Sequence, residues 1–301
     1  MADQTIDERR VGVAATGIEA LYEQVRAQAP AHADHAEATV VAVAPGIRVL
    51  ALRTPTLPPA TRTNVYLVGP EAGPIAVVDP GSPYPDQQAI LDATLSQLPI
   101  AMVLLTHHHG DHVGGAAAVA ARWGVPIAAH VATARRLAGR VTVTQTIEHD
   151  EIIHGARAIH TPGHAEGHLC FELGGATIAG DMVAGVGTIL IDPSEGDMAL
   201  YLDSLERLLA RPSARLLPAH GPPIADGPGK LAEYLAHRRM REARILDALV
   251  SPSSTTELVA NVYRDTPKPL WPLAERSLLA HLDKLAREGR AKNTDDGRWS
   301  R

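Results

Sequence analysis

The sequence predicts an α/β fold, an αββα sandwich carrying a winged-helix-like domain at its C-terminal end. Three observations predict it. Between residues 39 and 228 short β-type runs are mixed with intervening helical stretches, which suits a sandwich better than a doubly wound sheet. The ionisable residues of that region gather where several of the runs end. Beyond the Gly- and Pro-rich "GPPIADGPGK", three helical stretches are followed by a small hairpin.

In chain order, residues 6–28 read as a helix, with Ile18, Leu21, Tyr22 and Val25 at helical spacing, and "APAHADHAEA" reads as a linker. Together they make an N-terminal segment, 1–38. The catalytic domain is expected over 39–228. It begins with the β-type runs "TVVAVAPGIRVLAL", "NVYLVG" and "IAVVDPG". A helix follows around "PDQQAILDATLSQL", then "AMVLLT", a continuous apolar run suited to a strand buried on both faces. "GGAAAVAARWG" reads as a helix and "VPIAAH" as a short strand. Three times, in "ARAIHTPGH", "ATIAGDMVA" and "ARLLPAHGPP", an apolar strand runs into a polar loop. A rigid sheet can aim side chains from such distant loops at one point. Over 229–301, "KLAEYLAHRRMREARILDALV", "SSTTELVANVY" and "LAERSLLAHLDKLAREG" read as helices and "RAKNTDDGRWS" as a hairpin.

Composition narrows the function. The 301 residues are 45% hydrophobic and 21% charged, an ordinary globular balance. No apolar run approaches the length of a membrane span, and the polar start "MADQTIDERRVG" has neither part of a signal peptide. The single cysteine, Cys170, excludes an internal disulfide, so a cytoplasmic location is expected. The net charge is −6, but residues 230–301 hold 14 basic against 10 acidic side chains. An acidic body with a mildly basic tail does not suit a general nucleic-acid binder.

The chemistry lies in "LLTHHHGDHVGG". His107 and His109, two apart in a loop after a strand, can point to one side. Asp111 and His112 come as the chain turns into a helix and can face a neighbouring point. Imidazole and carboxylate suit zinc, and also iron or manganese. One ion takes three or four protein ligands, so this stretch implies two ions completed from elsewhere. His164 in "HTPGH", Asp181 in "AGDMV" and His220 in "PAHGP" offer the completion. The expected arrangement is His107, His109 and His164 on one ion, Asp111, His112 and His220 on the other, and Asp181 shared. A metal-bridging hydroxide would then be the nucleophile, with Asp111 or a metal-bound water helping to move the proton. The expected cofactors are two divalent metal ions, zinc first, with iron or manganese also admitted.

These residues resemble the metallo-β-lactamase superfamily, whose mark is H-x-H-x-D-H, here His107–His109–Asp111–His112. The resemblance extends through "VVDPGS" with Asp79, "TPGHAEGH", "AGD" and "AHGP", over about residues 39–228. Within it, "TRTNVYLVG", "GVGTILI", "HRRMRE" and the ending near "NTDDGRW" resemble the β-lactamase-like protein 2 branch. True class B β-lactamases generally lack the aspartate that stands here as Asp181, so the resemblance does not imply antibiotic hydrolysis. It implies ester, thioester or lactone hydrolysis, or single-stranded RNA cleavage as in the animal members of the branch.

Other residues have plainer readings. His108, between two candidate ligands, is expected to point away. His168 and Asp79 are expected to orient ligands by hydrogen bonds. His160 reads as structural, His149 and His154 as a solvated hairpin, and His130 as a strand-end histidine with no partner. Cys170 reads as a buried small hydrophobe. Arg238, Arg239, Arg241 and Arg244 on one helix are either a phosphate-contacting stripe or a solvated face, and the solvated face is expected. The preferred function is hydrolysis of a small-molecule ester, thioester or lactone. Single-stranded RNA cleavage is the alternative, and a regulatory protein with a residual metal site is the third. A homodimer is left open.

Overall fold

The computed structural model describes residues 18–28, 38–294 and 296–301. Of the N-terminal helix expected over 6–28, α1 (Ile18–Gln28) is described; the remainder and the linker up to residue 37 lie outside the described residues.

A seven-stranded sheet runs β1 (Val40–Ala44), β2 (Ile47–Arg53), β3 (Arg62–Val68), β4 (Ile75–Val78), β5 (Ile100–Leu104), β6 (Ile127–Ala129), β7 (Gln145–Thr146), in that spatial order. The first three pairings are antiparallel and the last three parallel. A second sheet of five strands contains β8 (Ile152–Ile153), β9 (Ala156–His160), β10 (Leu169–Leu173), β11 (Ala176–Gly180) and β12 (Arg215–Pro218), ordered β12-β11-β10-β9-β8. Helices α2 (Pro85–Leu95), α3 (Gly110–Val113), α4 (Ala116–Trp123) and α5 (Val131–Leu137) belong with the first sheet. Helices α6 (Met198–Leu209) and α7 (Gly227–Ala248) belong with the second. Then come α8 (Thr255–Val262), a 3₁₀ turn at Lys268–Leu270, α9 (Trp271–Arg287) and the hairpin of β13 (Lys292–Asn293) and β14 (Trp299–Ser300).

Side-chain alternation makes the layers. Along β3 and β4, Tyr66, Val68, Ala76 and Val78 face inward, where they meet Ala158, Leu169, Phe171 and Ile178 of the second sheet. Their neighbours Val65, Leu67, Ile75 and Val77 face the other way, against Leu91 and Leu95 of α2 and Val119 of α4. Both faces are covered, which is why these strands read as unbroken apolar runs. Behind the second sheet, Ile159, Cys170, Ala179 and Leu216 pack on Tyr201 and Leu205 of α6 and Leu231 and Leu235 of α7. The expected αββα sandwich is thus present.

The sequence reading assigns no helix to residues 198–209, yet α6 lies there. Asp197 caps it by accepting from the amides of Ala199 and Leu200. The C-terminal core joins Ile245 of α7, Leu258 and Val262 of α8, Leu278, Leu282 and Leu285 of α9, and Trp299 of β14. A capping box at Ser254 and Glu257 starts α8. Helix α7 feeds both cores, and the expected domain junction at 228/229 falls on its first turn. No helix among the described residues is long and apolar enough to cross a membrane.

Candidate metal centre

Strand ends deliver every candidate ligand. The chain leaves β5 into His107, His109, Asp111 and His112; the β9–β10 connection carries His164; β11 runs into Asp181; and β12 runs into His220. Two glycines let these segments close up. A Cβ on Gly81 would lie 1.8 Å from the Asp111 carbonyl oxygen, so only glycine allows the loop after β4 to reach α3. Gly180 has φ +49°, and a Cβ there would come within 2.5 Å of His168 Nε2.

The seven residues converge in two sets. His107 Nε2 is 2.9 Å from His109 Nδ1, and His164 Nε2 lies 3.3 and 3.0 Å from those two atoms. Two nitrogens on one tetrahedral zinc lie about 3.4 Å apart, so this triad is spaced for a shared cation. In the second set, His220 Nε2 is 3.5 Å from Asp111 Oδ2, and His112 Nε2 is 3.9 Å from that same oxygen. Asp181 faces both sets: Oδ1 is 3.6 Å from His112 Nε2 and 3.4 Å from His220 Nε2, while Oδ2 is 3.5 Å from His164 Nε2. His112 Nε2 and Asp181 Oδ1 are buried with no hydrogen-bond partner. Two such atoms side by side are costly unless a cation satisfies them. The donor set therefore fits metal.

Behind each imidazole an oxygen fixes the other nitrogen. His112 Nδ1 is 2.8 Å from Asp79 Oδ2, His164 Nδ1 is 2.8 Å from the Leu190 carbonyl, and His220 Nδ1 is 2.9 Å from the Arg62 carbonyl. His107 Nδ1 lies 2.9 Å from Thr106 Oγ1, which donates to Asp79. His109 Nε2 lies 2.7 Å from Glu195 Oε2. Such partners set the tautomer and aim the free lone pair inward. Asp79 holds φ +49°, a left-handed conformation rare outside glycine, and accepts from the Thr106 amide. Its expected orienting role matches this geometry.

Electrostatics separate the two sets. Burial, then the neighbouring histidines, hold His107 well below the usual imidazole range. His164 is lowered to about 4, by burial and then His109. For His112 burial pulls down, but Asp111, Asp181 and Asp79 outweigh it and hold the ring well above its usual value. Burial opposes ionisation of Asp181, yet His220 and His112 keep it well below the carboxylate range.

The remaining residues divide as follows. His108 does turn from the triad, toward Glu195 Oε2 at 3.4 Å. His168 acts through its neighbours: Nε2 accepts from the Asp181 amide at 3.0 Å and Nδ1 meets Thr161 Oγ1 at 2.8 Å. His149 is exposed. Its Nδ1 still accepts from the His160 amide at 3.2 Å, and His154 is half-buried with Nε2 2.8 Å from the Pro74 carbonyl, so neither is a purely solvated side chain. His130, for which the sequence suggests no partner, caps α5 and stacks on His160 with centroids 4.1 Å apart. Cys170 is buried, its thiol pushed up to about 12 by desolvation.

The basic helix departs from expectation. Arg238 and Arg241 are buried rather than solvated, because α7 packs on α6 and α8. Arg239 is exposed and Arg244 half-buried, and they pair with Glu206 and Asp265. Sequence reasoning also missed Glu195, in the 189–197 loop. This loop is tied to α9 by a double hydrogen bond from Arg276 to Asp192, at 2.7 and 2.8 Å, and by Arg287 to Asp197 at 2.6 Å. Above the metal set opens a cavity of about 620 Å³, lined by His109, Asp111 and Asp181 at its base. Its walls come from α1, the 55–60 loop, the 184–190 segment and the C-terminal helices.

Fold and site together define a metal-dependent hydrolase. The chain belongs to the metallo-β-lactamase superfamily, whose model matches residues 58–220. A beta-lactamase associated winged helix domain matches residues 254–299, which confirms the expected C-terminal fold. Among relatives, the beta-lactamase-like protein 2 homolog of Drosophila melanogaster is 31% identical over 253 residues, covering 76% of this chain and 84% of that protein. The atrochrysone carboxyl ACP thioesterase of Passalora fulva is 34% identical, covering 67% of this chain and 63% of its own length, less than two thirds of that relative. Of solved structures, a metallo-beta-lactamase family protein from Thermus thermophilus superposes with TM-score 0.72 at 25% identity, over 86% of this chain and 100% of that one. A second solved protein, TTHA1623 in a di-iron-bound form, gives TM-score 0.50 at 29% identity, over 57% and 94%.

Proposed function

We propose that the protein is a dinuclear metal-dependent hydrolase acting on an ester, thioester or lactone, a thioester being the first choice. His107, His109 and His164 would hold one ion, Asp111, His112 and His220 the other, and Asp181 both. The observation that carries this reading is Asp181, whose two carboxylate oxygens each face a different ligand set. Bound there, the ions would lower the pKa of a water and polarise the scissile carbonyl. Asp111 lines the cavity, and although burial opposes its ionisation, His112 and His220 keep its carboxyl below the usual range. It is therefore ionised at neutral pH, the form that a metal ligand needs, and it stands at the cavity where a proton relay to the leaving group would be required.

Support for a small thioester comes from the relatives named as thioesterases and from a cavity sized for a small molecule. The RNA reading finds less. Its four candidate phosphate contacts form no open stripe that could track a strand: Arg238 and Arg241 lie inside the cavity, and Arg239 and Arg244 already face carboxylates. The test is thiol release from acyl-N-acetylcysteamine thioesters by metal-loaded protein, with end-labelled single-stranded RNA and the His109→Ala and Asp181→Asn variants in parallel. Thioester turnover that falls at least a hundredfold in both variants is expected. RNA cleavage with no thioester turnover would overturn the substrate, and a loss of less than tenfold would overturn the site.

A further inference from the structure

Beyond the ligand cluster, the cavity has a second set of unsatisfied groups. Arg238 and Arg241 of α7 and Tyr263 after α8 all line it, and all are more than nine-tenths buried. The Nε atoms of both arginines and the Tyr263 hydroxyl have no hydrogen-bond partner. Arg26 of α1, on the same cavity, likewise has a buried and unpartnered Nε.

Charge is short of compensation here. Arg238 donates to the Ile189 carbonyl and lies 5.4 Å from the Tyr201 ring centroid, with no described carboxylate within ion-pair distance. Arg241 shares Asp265 with Arg244, at 2.8 and 2.7 Å, so one carboxylate serves two guanidinium groups. Its guanidinium also lies 4.6 Å from the centroid of the Tyr263 ring. Glu19 and Glu23 reach the same cavity from α1, are exposed, and pair with none of these arginines. A buried guanidinium without a counter-charge is costly to keep, and three adjoining unused donors are a poor way to build a wall. An oxyanion entering the cavity would supply the missing counter-charge.

We propose that Arg238, Arg241 and Tyr263 form an oxyanion-recognition subsite, so that the compound hydrolysed carries a carboxylate or phosphate group away from its scissile bond. The second half of that statement rests on the hydrolase reading; the subsite itself does not. Specificity would then come from the C-terminal helices, while chemistry stays with the ligand cluster.

The probe is hexane-1-sulfonate, a weak metal ligand, titrated calorimetrically into metal-loaded parent, Arg238→Met, Tyr263→Phe and Arg239→Met proteins, with hexyl phosphate in a second series. Expected are saturable binding by the parent, at least tenfold weaker binding by Arg238→Met, several-fold weaker binding by Tyr263→Phe, and no change in Arg239→Met, whose arginine does not line the cavity. Tyr263→Phe removes only a hydroxyl, so it reads the subsite even if Arg238→Met fails to fold. Tighter binding of the sulfonate assigns a carboxylate-like monoanion, and tighter binding of the phosphate assigns a dianion. Absence of binding, or equal binding by the parent and Tyr263→Phe, overturns the subsite. Turnover of S-adipoyl- against S-hexanoyl-N-acetylcysteamine reads the substrate separately. An adipoyl preference of at least tenfold that Tyr263→Phe weakens supports the proposal, and equal turnover overturns its second half. If neither compound is hydrolysed, the thioester reading fails, while the sulfonate titration still decides the subsite.

Discussion

Replacing Glu195 by Gln tests whether the two ligand sets act as separate sites. Glu195 touches only one of them, through the 2.7 Å contact between its Oε2 and His109 Nε2. The substitution keeps the shape and removes the charge that strengthens that hydrogen bond. Both side chains are partly open, 22% and 24% exposed, so water can replace part of what is lost. The expected effect is therefore at the lower end of the range for groups that orient a metal ligand, about tenfold in affinity, or about 1.4 kcal/mol. Asp79 does the same work for His112 in the other set, but that pair is 3% and 0% exposed. Asp79→Asn should cost more, toward about a hundredfold, and in the opposite site. The assay is competition for metal against a chromophoric chelator, resolved into two classes of site. Glu195→Gln should weaken one class and leave the other within a few-fold, while Asp79→Asn, which also reaches His107 through Thr106, should weaken chiefly the opposite class. If both variants weaken the same class, or both classes fall together in each, the assignment of ligands to two sites is wrong.

Three other predictions follow from the packing. Gly81→Ala should displace the Asp111 backbone and lower metal content to one equivalent or less, measured by elemental analysis of purified protein, because its Cβ has no room beside the Asp111 carbonyl. Phe171→Ala, in the core between the sheets, should cost about 3–5 kcal/mol in denaturant unfolding, since its neighbours come from two sheets and cannot collapse into the gap. Asp192 titrates below its ordinary 3.8: burial would raise it, but the Arg276 hydrogen bonds and those of Ser194 outweigh that. A depressed carboxylate contributes stability that is present above its unfolded pKa and lost as pH falls through the folded value. The thermal midpoint should thus drop more steeply below about pH 4 in the parent than in Arg276→Met.

The candidate ligand set was legible because much of it is contiguous. Four of its seven residues fall within six positions of "HHHGDH", and the rest follow strands whose apolar runs end abruptly. Burial of both sheet faces likewise left its trace in the unbroken runs of β4 and β5. Glu195 left no such trace, since it lies 86 residues from His109 and its role depends on where a loop is tied down. The arginines of α7 misled for a related reason. Periodicity tells which residues share a face but not whether that face meets water, and here other helices cover it. Helix α6 needed no tertiary information: its Asp197 cap and the spacing of Met198, Tyr201, Leu202, Leu205 and Leu208 are in the sequence.

Helix α7 runs unbroken for 22 residues, about 33 Å, with Leu231 and Leu235 set in one core and Ile245 in another. It is a shaft, not a hinge. A continuous helix anchored at both ends resists bending, so the winged-helix module cannot swing away from the cleft as a door would. The gap between its arginines and the histidine cluster is a fixed caliper. Whatever is admitted is measured against that opening, and any adjustment of entry falls to the short helix α1, the 55–60 loop and the 184–190 segment, which line the other walls.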